Sequence, residues 1–357
     1  MEAVFKLSPV RRRQGLKNEK CFDSGRMDVS SNSLDRQTLF LALINVAVLA
    51  AGGFLAGSNF MDSYNLQSMA SQVPELGLLA FGVMLAMISG NGGIDLSGIA
   101  LANLSGIVAF LLTRHYIPAA DAPLLFSWVF AGLALVVGLI GGVINGIVIA
   151  YARLTPLIAT LGTQLLFTGI AVFLTNGSAV SMGFIEPLDN FGNMPVLGVP
   201  MCFALFIAIA LALSFLLKYT PFGVKLMLLG SNAKAARYGG INERRMLLIT
   251  YTLCGLLASV AGIIIAARNS SVKWDYGGSY VLIAILIAVL GGVKPEGGCG
   301  KILCVLLAAT ALQILSSLFN FMNISNFFRD LAWGVLLMAL LASARMHFSY
   351  WLRPRRQ

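Results

Sequence analysis

The chain has 357 residues, 58% of them hydrophobic and 11% charged. Soluble domains carry about 25% charged residues, so this chain has too little polar surface for a water-soluble fold, and the bilayer must be its main solvent. Its net charge of +10 does not point to nucleic acid, because basic patches interleaved with aromatics are absent; excess Lys and Arg in a membrane protein marks cytoplasmic loops.

Residues 1–37 form a polar, basic leader containing Arg11-Arg12-Arg13. It is not read as a cleaved signal, because the first apolar run begins near Thr38 and is long enough to span. Ten uncharged runs follow at 38–57, 68–90, 95–113, 123–151, 154–175, 196–217, 246–267, 278–293, 302–318 and 330–345. The eighth and tenth are short for a span of about 20 residues. The expected fold is therefore an all-α polytopic membrane protein with a membrane domain over 38–345 and a basic tail over 346–357. If each run crosses once from a cytoplasmic start, all of the 25 Lys and Arg except Arg114, Arg268, Lys273 and Arg329 fall on the cytoplasmic side. That bias supports ten crossings with both termini inside. The second to fifth helices and the last four then run in opposite senses, the topology of an inverted repeat.

The largest internal loop, 218–245, lies between the sixth and seventh helices on the cytoplasmic side. Within it, Ala233-Lys234-Ala235-Ala236-Arg237-Tyr238 favours a short helix, with Ser231 or Asn232 as its cap and Gly239 as its end. It is either a docking element or an ordinary basic connector.

Polar residues inside the apolar runs carry the functional signal. In Ser89-Gly90-Asn91-Gly92-Gly93-Ile94-Asp95-Leu96-Ser97-Gly98 the glycines break the helix, and freed backbone must face protein or a water-filled cavity. Asp95 at membrane depth costs about 2.5–3.5 kcal/mol even on the lenient scale, so it must cap, pair or approach the interface. One reading is a broken segment lining a solute pathway; the other is a cap for the third helix. Asn103, Asn145, Thr160, Thr163, Gln164 and Gln313 can hydrogen-bond a hydroxylated solute or neighbouring helices. Together with Ser89, Asn91 and Asp95 they describe a pathway that is polar and almost uncharged, suited to a neutral solute. Gly138, Gly142 and Gly146 repeat every four residues and form a packing face.

Enzyme chemistry has little support. Gly300-Lys301 lacks the rest of a P-loop, and no dinucleotide fingerprint, zinc-protease motif or Ser-His-Asp grouping appears. The histidines His115 and His347 are too few for a His-rich metal site. The five cysteines Cys21, Cys202, Cys254, Cys299 and Cys304 suit apolar or small-residue roles better than a disulfide framework.

Four stretches together resemble the permease subunits of bacterial ABC importers for ribose, other simple sugars and autoinducer-2. Ile88-Ser89-Gly90 with Gly93-Ile94-Asp95-Leu96-Ser97 is similar to the SGGIDLS signature of that family. Thr160-Leu161-Gly162-Thr163 through Leu174-Thr175-Asn176-Gly177 is similar to its TLGT…LTNG segment. Phe222-Gly223, Gly230, Asn232, Ala235-Ala236 and Gly240-Ile241 look like its coupling loop, and Gly291-Gly292 with Gly297-Gly298 and Gly300 like its glycine-rich turn. The likeness runs from about residue 65 to 342. Asn91 interrupts the glycine pair, Gly239 stands where serine is common, and the leader is longer than usual.

The resemblance implies an inner-membrane pore subunit with no ATPase site of its own. Two such permeases, identical or siblings, form the pore, surrounded by lipid. ATP is bound by separate cassettes, which dock on Gly230, Ser231, Asn232, Ala235, Ala236, Arg237, Gly239, Gly240 and Ile241. A periplasmic or extracellular binding protein delivers a sugar or sugar-like solute to the outer loops, 176–195 and 319–329 among them. The alternative is a secondary transporter driven by an ion gradient, which needs an intramembrane carboxylate; Asp95 and Glu75 are the candidates. A non-transporting membrane scaffold is disfavoured by the polar, glycine-broken segment.

Overall fold

The computed structural model describes residues 36–196 and 198–345. The leader up to residue 35 and the tail from 346 on lie outside the described residues.

All ten expected runs are helices. In chain order they are α1 (Arg36–Ala56), α2 (Ser63–Ile88), α3 (Gly98–Tyr116), α4 (Pro123–Ala150) and α5 (Pro156–Thr175), then α6 (Glu186–Asn193), which lies in an outer connection, and α7 (Met201–Tyr219). They continue with α8 (Pro221–Ser231), α9 (Ala233–Tyr238), α10 (Glu243–Asn269), α11 (Tyr280–Leu290), α12 (Ile302–Phe321) and α13 (Asn326–Arg345). Among the described residues, strands are limited to two antiparallel pairs of two residues each: Val180–Ser181 with Ser271–Val272, and Pro195–Val196 with Val199–Pro200. Eight helices among the described residues, α1 to α5, α7, α10 and α12, are long and apolar enough to cross a membrane.

α2 is the central column, with 89% of its apolar window buried, whereas α1 is 11% buried and packs on α12 at the periphery. α10, α11, α12 and α7 surround α2, and α3, α4 and α5 form the next layer, with α3 and α4 packed on α10. The closest seam is α4 on α10. A Cβ on Gly142 would stand 2.6 Å from the Tyr251 carbonyl oxygen, and one on Gly255 would stand 2.3 Å from that of Gly138. The glycine repeat of α4 is thus an internal packing face, where the missing side chains let two backbones meet. Outer faces are apolar: Phe54, Leu165 and Phe173 are each more than 75% exposed, as a hydrocarbon solvent allows.

Three sequence expectations are corrected. α2 starts at Ser63, five residues before the expected run, because Tyr64-Asn65-Leu66-Gln67 are helical despite their polarity. α3 starts at Gly98 because residues 95–97 form its capping turn. The connection over 218–245 is almost entirely helical: α8 precedes the expected short helix, entered through a tight turn in which a Cβ on Gly223 would meet the Leu217 carbonyl oxygen at 2.0 Å.

Cys202, Cys254 and Cys304 are buried free thiols, matching their apolar reading. Cys299, in a half-buried turn, departs from it and is disulfide-bonded.

Candidate functional site: two broken segments and a coupling helix

Two of the breaks between consecutive helices are at 89–97, between α2 and α3, and at 270–279, between α10 and α11. Each break follows the first helix of a four-helix group, α2–α5 or α10–α13. The breaks lie toward opposite ends of α5: Thr160 near its start touches the first, and Gly177 just past its end touches the second. At 1.5 Å per residue these contacts are roughly 25 Å apart.

Carbonyls freed by a break need donors, and the predicted polar residues supply them. Thr160 Oγ1 shares its one proton between the Ile94 carbonyl at 3.0 Å and the Pro156 carbonyl of its own helix at 2.9 Å. Asn103 Nδ2 donates to the carbonyls of Trp274 at 3.1 Å and Tyr276 at 2.9 Å. One buried side chain thus anchors each broken segment.

Asp95 is buried and accepts at one oxygen from the Ser97 backbone N–H at 2.9 Å and the Ser97 hydroxyl at 2.7 Å. This corrects the capping expectation: the N-cap of α3 is Ser97, without a side-chain cap bond, and Asp95 closes the turn just before it by holding Ser97. Asn145 Nδ2 donates to Ser97 Oγ at 2.8 Å, extending the chain to α4. Asn145 Oδ1 and the Tyr251 hydroxyl nearby in the core are buried without a partner among the described residues.

The remaining candidates scatter. Ser89 Oγ donates to the Ala86 carbonyl of its own helix. Asn91 stands exposed in a turn in which Gly90, Asn91 and Gly92 all have positive φ, at 79°, 58° and 68°; asparagine is among the few other residues that accept this region. Thr163 bonds back to carbonyls of α5. Gln164 is half-buried on α5. Gln313 donates to Gln72 Oε1 at 2.9 Å, tying α12 to α2. Most of the polar set is thus committed to bonds within the protein.

The connecting element at α9 is built as a small rigid unit. Asn232 Oδ1 accepts from the N–H of Lys234 and of Ala235, both at 3.1 Å, and so caps α9; Ser231 does not serve as its cap. At the other end Gly240 N–H bonds Arg237 O, and Ile241 N–H bonds Ala236 O. With φ of +77° at Gly240, this is a Schellman ending. The left-handed residue is Gly240, one position after the expected Gly239. Only Ala236 of α9 is buried; Lys234, Ala235, Arg237 and Tyr238 face outward, Tyr238 at 95% exposure.

Beneath this unit the backbones meet without side chains. A Cβ on Gly230 would fall 1.9 Å from the Ile88 carbonyl oxygen and 2.6 Å from Gly298 N, and one on Gly90 would fall 2.7 Å from Gly230 Cα. Gly298 N–H donates to the Ile88 carbonyl at 3.0 Å. The end of α8, the first broken segment and the 291–301 turn therefore share one glycine-lined junction, on the side to which the charge distribution assigns all three.

On the opposite side lies a group that the sequence reading only touched. Glu75, buried in α2, pairs with Arg268 at the end of α10 and accepts from Tyr276 at 3.1 Å and Tyr280 at 3.4 Å. An isolated Glu inside an apolar run was the available signal, because a buried carboxylate needs a partner.

Residues 65–342 match the family described as the branched-chain amino acid transport system / permease component. The chain belongs to this permease family. It is 34% identical to the ribose import permease protein RbsC of Escherichia coli (strain K12) over 85% of this chain and 92% of that protein. Identity to RbsC of Bacillus subtilis (strain 168) is 32%, over 84% and 88% of the two chains. Identity to the autoinducer 2 import system permease protein LsrD of Photorhabdus luminescens is 32%, over 83% and 87%. No solved structure matches significantly. The chain is thus a multi-pass permease of the bacterial inner membrane, and its family consists of transport components rather than enzymes.

Proposed function

We propose that this permease is the pore subunit of an ATP-driven importer and translocates a small neutral sugar or sugar-like solute. The observation that carries this reading is its similarity, over most of its length, to ribose and autoinducer 2 import permeases. Apart from Asp95, which is held by Ser97, the polar residues around the first break are uncharged, in keeping with a neutral solute.

The work comes from partners. ATP is bound and hydrolysed by ATP-binding subunits, which dock on the exposed face of α9. Their closure displaces α9 and switches the pore, provided that ATP binding favours one conformation over the other. A second permease subunit completes the pore, and a soluble binding protein meets the outer connections, including the one that carries α6.

The ion-driven alternative asks for a membrane carboxylate free to bind the ion. Glu75 is engaged by Arg268 and two tyrosines, and Asp95 by Ser97, so neither fits that role. In whole cells, solute uptake is expected to stop when ATP is depleted and to persist when an ionophore collapses the ion gradients. The opposite pattern would reject the ATP-driven reading.

A further inference from the structure

We infer that α10 is a transmission rod between the coupling helix and the outer face, and that Glu75 and Arg268 are the positioning residues that make its outer connection. This rests on the importer reading above and adds to it the route by which displacement of α9 reaches the far side.

Four observations converge. First, α10 is one helix of 27 residues without proline, about 40 Å long at 1.5 Å per residue, which is enough to run from one face to the other. Secondly, it carries an ion pair at each end. Glu243, its first residue, accepts from Arg237 Nε of α9 at 2.6 Å, and Arg268, in its last turn, pairs with Glu75 of α2. Thirdly, its middle is seated without slack. The backbones of α10 and α4 meet through Gly138, Gly142 and Gly255, and a Cβ on Gly262 would lie 2.3 Å from the Ala102 carbonyl oxygen of α3. Close-packed interfaces of this kind shift as bodies and do not deform continuously.

The fourth observation concerns the two ends. The Arg237 side chain is 63% exposed, so the inner pair orients α9 and holds it weakly. The outer pair is different: the Glu75 side chain is 2% exposed and that of Arg268 17%. Both Glu75 oxygens are used, one by Arg268 and the other by Tyr276 and Tyr280 of the second break. Asn193 of α6 also reaches the Arg268 carbonyl, at 3.5 Å. The outer end of α10, the second broken segment and α2 are thereby joined through one carboxylate. Removing either charge leaves its partner buried and uncompensated, and the outer end of α10 would then lose its fixed setting against α2 and the second broken segment, although the two helices still pack along their length through Cys254 and Gly82.

The test uses the complete complex in proteoliposomes, with the ATP-binding subunits and the binding protein, and reads solute uptake per ATP hydrolysed. Glu75→Gln and Arg268→Met are expected to keep ATP hydrolysis and to lower uptake per ATP about tenfold, the factor that corresponds to a modest change in coupling free energy. Arg268→Lys, which keeps the charge, should recover most of that loss. Tyr276→Phe and Tyr280→Phe, which remove one hydrogen bond each, should lower the ratio less; they remain informative if the charge variants do not assemble. Unchanged uptake per ATP in all variants would overturn the rod. So would a parallel fall of uptake and hydrolysis, which would mark a purely structural role. A wild-type complex without ATP-dependent uptake would instead reject the importer reading on which the rod rests.

Discussion

Ser97 shows how one hydroxyl can hold a membrane-embedded turn. It donates to Asp95 and accepts from Asn145, so the carboxylate, the hydroxyl and the amide form one chain across α3 and α4. Ser97→Ala leaves a buried carboxylate one donor short and an amide N–H without an acceptor. A loss of about 1–3 kcal/mol is expected, read as a lower midpoint of thermal unfolding in detergent. Asn145→Ala removes the amide altogether, including the Oδ1 that has no partner, and should cost less than Ser97→Ala; the reverse order would contradict the chain as drawn. Sequence placed Asp95 in a local turn before α3, because aspartate before a helix has a well-known local use, but the capping role fell to Ser97, two residues later. Asn103 was legible only as a polar residue in a span. Its partners, the carbonyls of Trp274 and Tyr276, are 171 and 173 residues away, and no local pattern encodes that pairing. Glu75 was noticed as an isolated carboxylate, but Arg268 was read as a plain outer-loop charge, for the same reason.

At the scale of elements, hydropathy located ten apolar runs that are all helical, because in hydrocarbon every backbone polar group must be satisfied within the segment and helix is the solution, but among the described residues only eight of them are long and apolar enough to cross, and the eighth run is a helix of 11 residues. The errors fell where polarity and helicity part company. The start of α2 is polar yet helical, and α8 is helical within a connection rich in glycine and lysine. Glycine spacing in α4 predicted close contact, but not with which helix. The contact distances now separate two kinds of glycine. Gly142→Leu in α4 should destabilise the isolated chain by at least about 2 kcal/mol through overpacking against α10. Gly169→Ala in α5, where no neighbour lies within 4 Å, should be neutral or gain up to about 1 kcal/mol of helix propensity. Thermal unfolding of the two variants in the same detergent checks the contrast; equal effects would mean that the α4–α10 seam is looser than described.

Across the whole molecule, the glycine junction under α9 and the Glu75 group lie at opposite ends of the bundle, with two four-helix groups between them. This arrangement suits a subunit that receives a push on one face and passes a solute across to it. In the function proposed above the push arrives through α9, whose outward face holds Lys234, Ala235, Arg237 and Tyr238. Charge reversal there, Lys234→Glu with Arg237→Glu, touches little of the core and should leave the fold intact while abolishing coupling to the ATP-binding subunits. The check is unchanged detergent stability together with lost ATP-dependent uptake. Gly230→Ala should fail differently. Its Cβ would collide with backbone on two sides, so assembly of the chain itself should suffer.

The most direct measurement is uptake of radiolabelled ribose into sealed proteoliposomes that hold the permease with its ATP-binding subunits, with binding protein outside and nucleotide inside. Related sugars and autoinducer-2 serve as parallel solutes. The account predicts accumulation of at least one of them that requires ATP and disappears when either partner is omitted. Accumulation by the permease alone under an ion gradient, or ATP hydrolysis by the purified permease without partners, would contradict it.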